Sequence, residues 1–223
     1  MTHVALVCND TLLQPRLPQV LLVAEKILPQ KEARDIIPHL PPNIHLWRRK
    51  SGWVNIINFI KIVELLAAVL DEHAPGRPRI LLMDALPIHC CSEVLDAARQ
   101  LRVRVVIIPA CCTNFLQPLD THVFSQYKKR IRRLQQECML DGANEDLSSR
   151  LVVDCVGKAV RAIFQGKKWA KAFHANGFGG RKFQPSLKLL WKLGLEEAPT
   201  LACRLPSYED FLRFFLDAST STS

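Results

Sequence analysis

Two aspartates, Asp84 and Asp120, are the residues whose positions in this chain suggest chemistry. Asp84 follows an apolar run at residues 80–83 that predicts a strand, and Asp120 opens a predicted helix after residues 114–119. Both carboxylates therefore lie at the ends of elements, where side chains can converge. Carboxylates held close together repel each other unless a proton or a cation lies between them, and Mg²⁺ prefers oxygen ligands. The pair predicts a site for a hard divalent metal ion.

A run of cations follows Asp120 on the same predicted helix. One face of this helix is apolar (Val123, Phe124, Tyr127, Ile131 and Leu134), and five cations within six residues cover the rest: Lys128, Lys129, Arg130, Arg132 and Arg133. Clustered cations repel one another and attract an anion, so the run is a candidate nucleic-acid-binding surface. A nuclear-import signal and a plain solvated helix face are the alternative interpretations.

The composition supports a globular protein with a polyanionic partner. The chain has 223 residues, 48% of them hydrophobic, with a formal net charge of +9 and a pI of about 9.3. Such a chain can bury its own core, and excess Lys and Arg gain affinity for phosphates by releasing counterions. No apolar run reaches the roughly 18 to 20 residues that cross a bilayer, and no signal-like segment begins the chain. We expect a soluble protein that is neither secreted nor in a membrane and that has a polyanionic partner.

The eight cysteines include two adjacent pairs, Cys90-Cys91 and Cys111-Cys112, but no C-x-x-C unit and no zinc-type Cys/His spacing. Because no secretory signal is visible, we expect buried or partly buried thiols. A disulfide framework is the alternative.

The elements before Asp84 include strands and one long helix. Residues 3–8 and 17–24 predict an antiparallel hairpin, and the proline-punctuated residues 32–42 predict a connector with little regular structure. The basic triplet at residues 48–50 predicts a solvated face. Apolar residues recur every three or four positions between Trp53 and His73 and predict an amphipathic helix.

The order around Asp84 is strand, helix, strand. Ser92 is a suitable N-cap for a helix through Leu101, and residues 103–108 predict a second apolar strand. A helix between two continuous apolar strands favours a right-handed crossover in a parallel sheet buried on both faces.

Two regions are expected. Residues 1–140 form the predicted core and residues 141–223 a helical C-terminal extension. The extension begins with a polar, acidic linker at residues 141–146 and includes predicted helices at residues 147–165 and 208–216. Three tryptophans lie on amphipathic faces and are expected to be buried in the hydrophobic core: Trp53, Trp169 and Trp191.

The segments around the two aspartates resemble a known family. Residues 82–89, which read Leu-Met-Asp-Ala-Leu-Pro-Ile-His, and residues 108–120, which end in Leu-Gln-Pro-Leu-Asp, are similar to the second and third acidic blocks of the DDE superfamily endonucleases. These are transposase domains of the mariner/pogo type, and weaker similarity extends from residue 1 to about residue 180. The resemblance implies an α/β, RNase H-like fold, in which a mixed sheet with a hairpin followed by parallel strands is flanked by helices.

The resemblance also implies roles for individual residues. In this family three acids hold two Mg²⁺ ions, which activate a water or a 3′-hydroxyl at a phosphodiester. Asp84 and Asp120 match the second and third acids, so they are the implied catalytic residues and metal ligands. His89 matches the family's histidine and could orient a ligand, or it could pack on the crossover helix. Gln117 could hydrogen-bond the loop that holds Asp120, or it could be a turn residue.

The departures from the family pattern concern the first acid. In the family, that acid lies on a strand before the hairpin. This chain begins at what resembles the second strand, so we expect it to be truncated at its N-terminus. Asp10, in the predicted hairpin turn, is the acid nearest to the missing position. The resemblance therefore implies a transposase-derived nuclear domain that binds nucleic acid, most simply DNA, and is impaired in catalysis. One alternative is an active Mg²⁺-dependent endonuclease or strand transferase completed by Asp10 or another acid. The other is a non-catalytic protein-binding scaffold, and the sequence leaves open whether the chain forms a homodimer.

Overall fold

The computed structural model describes residues 1–141, 149–178, 187–192 and 194, which form a mixed α/β structure with two small sheets. Strand β1 (Thr2–Val4) pairs antiparallel with β2 (Gln19–Ala24), β2 pairs in parallel with β3 (Ile44–Arg49), and β4 (Ile80–Asp84) pairs in parallel with β5 (Arg104–Ile108). The predicted hairpin and the predicted parallel pair are confirmed. The sheet differs from the expected single one, since within the described residues no strand pairing joins β1–β3 to β4 and β5.

Nine α-helices lie within the described residues: α1 (Gln30–Ile36), α2 (Ile56–His73), α3 (Pro87–Cys90), α4 (Ser92–Gln100), α5 (Thr113–Leu116), α6 (Phe124–Asp141), α7 (Ser149–Val160), α8 (Ala170–Ala175) and α9 (Leu187–Lys192). A π-helical turn at Leu119–Val123 leads into α6, and a second at Arg161–Gln165 continues α7. None of these described helices is both long enough and apolar enough to cross a membrane. Most of the predicted linker and the helix predicted at 208–216 lie outside the described residues.

Helix α2 shows how the apolar periodicity produces a helix. Asn55 caps it, because its side-chain oxygen accepts a hydrogen bond of 2.8 Å from the backbone N–H of Asn58. The face that carries Phe59, Ile62 and Val63 is buried. The helix begins after Trp53, whose side chain is 80% exposed, so the prediction that Trp53 lies in the core is wrong.

The two other tryptophans have opposite outcomes. Trp169 is buried, and its indole N–H donates a hydrogen bond of 3.1 Å to the carbonyl of Ile163, which confirms its predicted core position. Trp191 on α9 is 81% exposed, so for this residue the prediction is wrong. The spacing of an aromatic residue on a short helix does not show which face packs.

The predicted connector at residues 32–42 is wrong, because α1 and a 3₁₀ turn at Ile37–His39 occupy most of it. Pro38, one of the prolines of this segment, lies in the first turn of the 3₁₀ helix, and Pro29, just before the segment, precedes α1. A proline at these positions lacks only an N–H that would have no partner within the helix. Buried Ala33 and Ile36 then hold α1 on the core.

Strand β3 was not predicted, and it places the basic triplet differently from the expected solvated face. Arg48 donates from Nε to the carbonyl of Leu28 at 2.7 Å, and Arg49 donates from Nε to Asn58 Oδ1 at 3.1 Å. Both guanidinium groups therefore hold the end of β3 against its neighbours.

The core is divided into clusters. The largest joins β2 and β3 to the apolar faces of α6 and α7, and it includes Leu21, Val23, Tyr127, Val156 and Phe164. A second cluster joins α2 and α4 to β4 and includes Phe59, Met83 and Val94. Burial of the parallel pair is less complete than predicted, because Ile80 at the start of β4 is 59% exposed.

Candidate metal centre and basic face

Asp84 is the last residue of β4, and it lies opposite Ile108, the last residue of β5. Its Oδ1 atom lies 2.5 Å from Nδ1 of His89, which is in the last turn of α3. The imidazole ring also packs against Phe59 of α2, with ring centroids 4.6 Å apart. The ring therefore holds one oxygen of the carboxylate in a fixed orientation, and carboxylates that ligate metals are likewise hydrogen-bonded by neighbouring groups.

Asp120 lies in the first turn of the π-helical segment, and its side chain is exposed. Thr121, the next residue, donates from its N–H and can also donate from Oγ1 to the carbonyl of Gln117, at 3.0 and 2.9 Å. Gln117 thus supports the Asp120 turn through its main chain, as a turn residue does.

Asn176, a residue that no site motif in the sequence marks, holds the same turn from a distant part of the chain. Its Nδ2 atom donates to the carbonyl of Phe115 at 2.5 Å, and its Oδ1 atom lies 3.1 Å from Thr121 Oγ1. The side chain is buried, with 1% of the residue exposed. The only local signal is the Asn-Gly turn with Gly177 at φ 90°, which indicates a turn but gives no information on a contact to Phe115.

Asp10, the alternative third acid, has its own partners in the turn between β1 and β2. Its carboxylate accepts hydrogen bonds from the N–H groups of Leu12 and Leu13 at 2.8 and 3.1 Å, and from Arg77 Nη1 at 2.5 Å. The hydrogen bond from Arg77 is the main cause that lowers the pKa of the Asp10 carboxyl, with the two backbone bonds adding to it.

The structure therefore brings Asp84 and His89 together, but it does not group them with a third ligand. Among the residues that the structure describes, no three of the types His, Cys, Asp and Glu lie close enough together to hold a metal ion. Asp84 has the chemistry of a Mg²⁺ ligand, because it is a partly exposed carboxylate oriented by an imidazole. The arrangement does not fit the two-metal centre of an intact family member, which needs carboxylates on both flanks of the ion pair.

The basic run lies on the solvent side of α6. Val123, just before the helix, and Tyr127 and Leu134 on it pack into the largest core cluster, and this packing turns the cations outward. Four of the five are exposed and Arg130 is half-buried. Arg133 pairs with Glu137 one turn further on, at 2.8 Å. The run has four other cations, and within the described part of the chain no acid forms an ion pair with any of them: Lys128, Lys129, Arg130 and Arg132.

One further cation extends this surface. Lys167 contacts the side-chain oxygen of Gln126, which lies on α6 beside the first cations of the run. Because Lys167 follows α7 in sequence, only the packing of the two helices brings it to this face. The predicted run is thus the larger part of a surface that we call the basic face, composed of Lys128, Lys129, Arg130, Arg132, Arg133 and Lys167.

The comparisons with known proteins identify one family. A family model described as DDE superfamily endonuclease matches residues 3–173, a span that contains Asp84, His89, Asp120 and the whole basic face. No curated protein and no solved structure matches the chain. Because the family model covers well over half of the sequence, the chain belongs to the DDE superfamily endonuclease family.

Proposed function

We propose that this chain is a transposase-derived, RNase H-like domain that binds DNA through the basic face and is impaired in strand cleavage. The observation that carries the proposal is the set of cations on α6 that have no acidic partner among the described residues. Bound phosphate groups neutralise these cations and so relieve their mutual repulsion, and the release of counterions adds to the affinity for DNA.

The geometry of α6 supports a phosphate-binding role over a plain solvated face. Lys128 and Arg132 are four residues apart, as are Lys129 and Arg133, so each pair lies on one side of the helix at about 6 Å along its axis. The apolar side of α6 is anchored in the core, so the cations project from a fixed surface. Membership of a nuclease family makes nucleic acid the expected partner, and a nuclear location follows from a DNA substrate.

The proposed impairment concerns the acids. Asp84 and Asp120 match two of the family's metal-binding acids, but among the described residues no third ligand completes a metal centre, and a two-metal site needs carboxylates on both flanks. His89 orients Asp84, whereas the carboxylate of Asp10 already accepts three hydrogen bonds, one of them from a guanidinium group. Recruiting Asp10 as a metal ligand would require breaking its contact with Arg77.

Fluorescence anisotropy with a labelled DNA duplex, measured over a series of salt concentrations, tests the DNA-binding proposal. We expect the substitutions Lys128→Ala, Lys129→Ala and Arg132→Ala, combined in one variant, to weaken binding. The slope of log Kd against log salt should become shallower by about two to three, since each lost phosphate contact removes about 0.9.

The matched control removes the same charge elsewhere. Lys26, Lys31 and Lys61 are exposed cations that are not part of the basic face, and their combined change to Ala should leave the salt dependence nearly unchanged. An equal loss in both triple variants would show that only net charge matters. Absence of DNA affinity at low salt would overturn the proposal and favour the protein-binding scaffold.

A nicking assay on supercoiled plasmid with Mg²⁺ tests the catalytic part. We expect the wild-type protein and the Asp84→Asn variant to nick the plasmid at the same low background rate. Mg²⁺-dependent nicking that Asp84→Asn abolishes would instead establish an active endonuclease. In that case the variant Asp10→Asn would show whether Asp10 is the third ligand, while DNA binding would remain a separate result.

A further inference from the structure

Cys138 on α6 and Cys155 on α7 place two thiols side by side. Their Sγ atoms are 3.7 Å apart, although the residues are 17 positions apart in sequence. Cys155 is fully buried in the largest core cluster, and half-buried Cys138 packs against the same cluster. The packing of α6 on α7 therefore fixes the pair in contact.

The other described cysteines have different surroundings. Cys90 and Cys111 are exposed, which differs from the predicted burial. Half-buried Cys8 and Cys91 donate from their thiols to carbonyl groups, those of Asp10 and Ile88. Among the cysteines that the structure describes, Cys138 and Cys155 are the pair in sulfur–sulfur contact.

We propose that Cys138 and Cys155 form an oxidative modification site, at which a peroxide converts the two thiols into a disulfide that joins α6 to α7. A disulfide requires a sulfur–sulfur distance of about 2.05 Å. The two sulfur atoms must therefore approach each other by about 1.7 Å from their present separation of 3.7 Å. Rotation of the side chains about their Cα–Cβ bonds would supply this approach.

The chemistry proceeds in two balanced steps. The thiolate of Cys138 attacks one oxygen of hydrogen peroxide, the O–O bond breaks, and Cys138 becomes a sulfenic acid as one water is released. The sulfur of Cys155 then attacks the sulfenic sulfur, and the departing hydroxide takes the Cys155 proton as a second water. Two thiols are oxidised and one peroxide is reduced to two waters.

The order of the two cysteines follows from their surroundings. Burial, with a smaller contribution from the neighbouring Cys138 thiol, raises the pKa of Cys155 to about 11, so Cys155 is a poor first nucleophile. Cys138 is the more accessible of the two. Cys138 is therefore the residue that reacts with peroxide, and Cys155 resolves the sulfenic acid.

Peroxide titration of the full chain, followed by alkylation of the remaining thiols and peptide mass spectrometry, tests the proposal. We expect a cross-linked peptide that contains Cys138 and Cys155 and disappears on reduction with dithiothreitol. The oxidised protein should unfold at a Tm about 5 to 10 °C higher, because the cross-link restricts the unfolded chain.

Two variants provide the controls. Cys138→Ser should abolish both the cross-link and the rise in Tm, whereas the double variant Cys90→Ser with Cys111→Ser should keep both. Mapping the cross-link in the wild-type protein decides the question even if Cys138→Ser folds poorly. The proposal is overturned if peroxide oxidises the exposed cysteines while Cys138 and Cys155 can still both be alkylated.

Discussion

At the scale of single residues, His3 is a half-buried titratable group whose ring packs against two core aromatic residues. Its ring makes edge contacts with Tyr127 and Phe164, with centroids 5.2 and 5.0 Å away. Nε2 lies 3.2 Å from Gln19 Oε1, whereas Nδ1 is buried without a hydrogen-bond partner. The tautomer that fits is the one in which Nε2 donates to Gln19 and Nδ1 carries no proton. Burial lowers the pKa of His3 from 6.5 to about 4, since a charged ring would leave Nδ1–H buried and unpaired.

The depressed pKa of His3 predicts a loss of stability in acid. Between pH 6.5 and pH 4 the unfolded chain binds a proton at His3 that the folded chain does not. The contribution of the neutral His3 ring to the free energy of unfolding is therefore full above pH 6.5 and declines as the pH falls. The expected loss at pH 4.5 is roughly 2 to 3 kcal/mol in the free energy of unfolding. Urea unfolding at pH 7 and pH 4.5 should show a smaller difference for His3→Phe, which keeps the ring contacts. Exposed His39, changed to Gln, is the control, and equal pH dependence in all three proteins would contradict the prediction.

At the scale of elements, local patterns predicted the helices and strands that have strong apolar periodicity. Helix α2 and strands β4 and β5 lie close to their predicted positions. Helix α1 and strand β3 were missed for a physical reason. Pro38, just after α1, suggests irregular structure, although it lies in the first turn of a 3₁₀ helix. Strand β3 ends in two arginines, whose partners Leu28 and Asn58 are brought near them only by the fold.

The turn that carries Asp120 depends on Asn176, a contact that the sequence does not predict. Asn176→Ala removes the donor to Phe115 and leaves that carbonyl unpaired, at an expected cost of about 1 to 3 kcal/mol. Hydrogen exchange followed by mass spectrometry should show faster exchange at residues 117–123 than in the wild-type protein. The neighbouring exposed His174, changed to Ala, should exchange like the wild type. Unchanged protection in Asn176→Ala would mean that the turn is held by Gln117 and Thr121 alone.

At the scale of the whole molecule, the predicted boundary near residue 140 divides segments that share one core. Leu134 lies before the boundary, and Val156 and Phe164 lie after it, yet all three belong to the largest cluster. Buried Gln14 adds a polar link across 150 positions, because its Nε2 donates to the carbonyl of Phe164 at 2.9 Å. Its Oε1 accepts from the N–H of Cys8 at 2.7 Å. A glutamine beside a proline looks like an exposed turn residue in the sequence, and only long-range packing makes it a buried connector.

These shared contacts predict that residues on both sides of position 140 unfold together. Gln14→Leu should lower the free energy of unfolding by about 2 to 4 kcal/mol, because it leaves the N–H of Cys8 and the carbonyl of Phe164 buried without partners. Circular dichroism and tryptophan fluorescence, recorded during urea unfolding, should follow one transition in both proteins, with the midpoint of the variant shifted downward. Exposed Gln136, changed to Leu, should leave the midpoint nearly unchanged. If the core and the C-terminal extension were independent domains, the two probes would separate in Gln14→Leu, since only the contact between them would be lost.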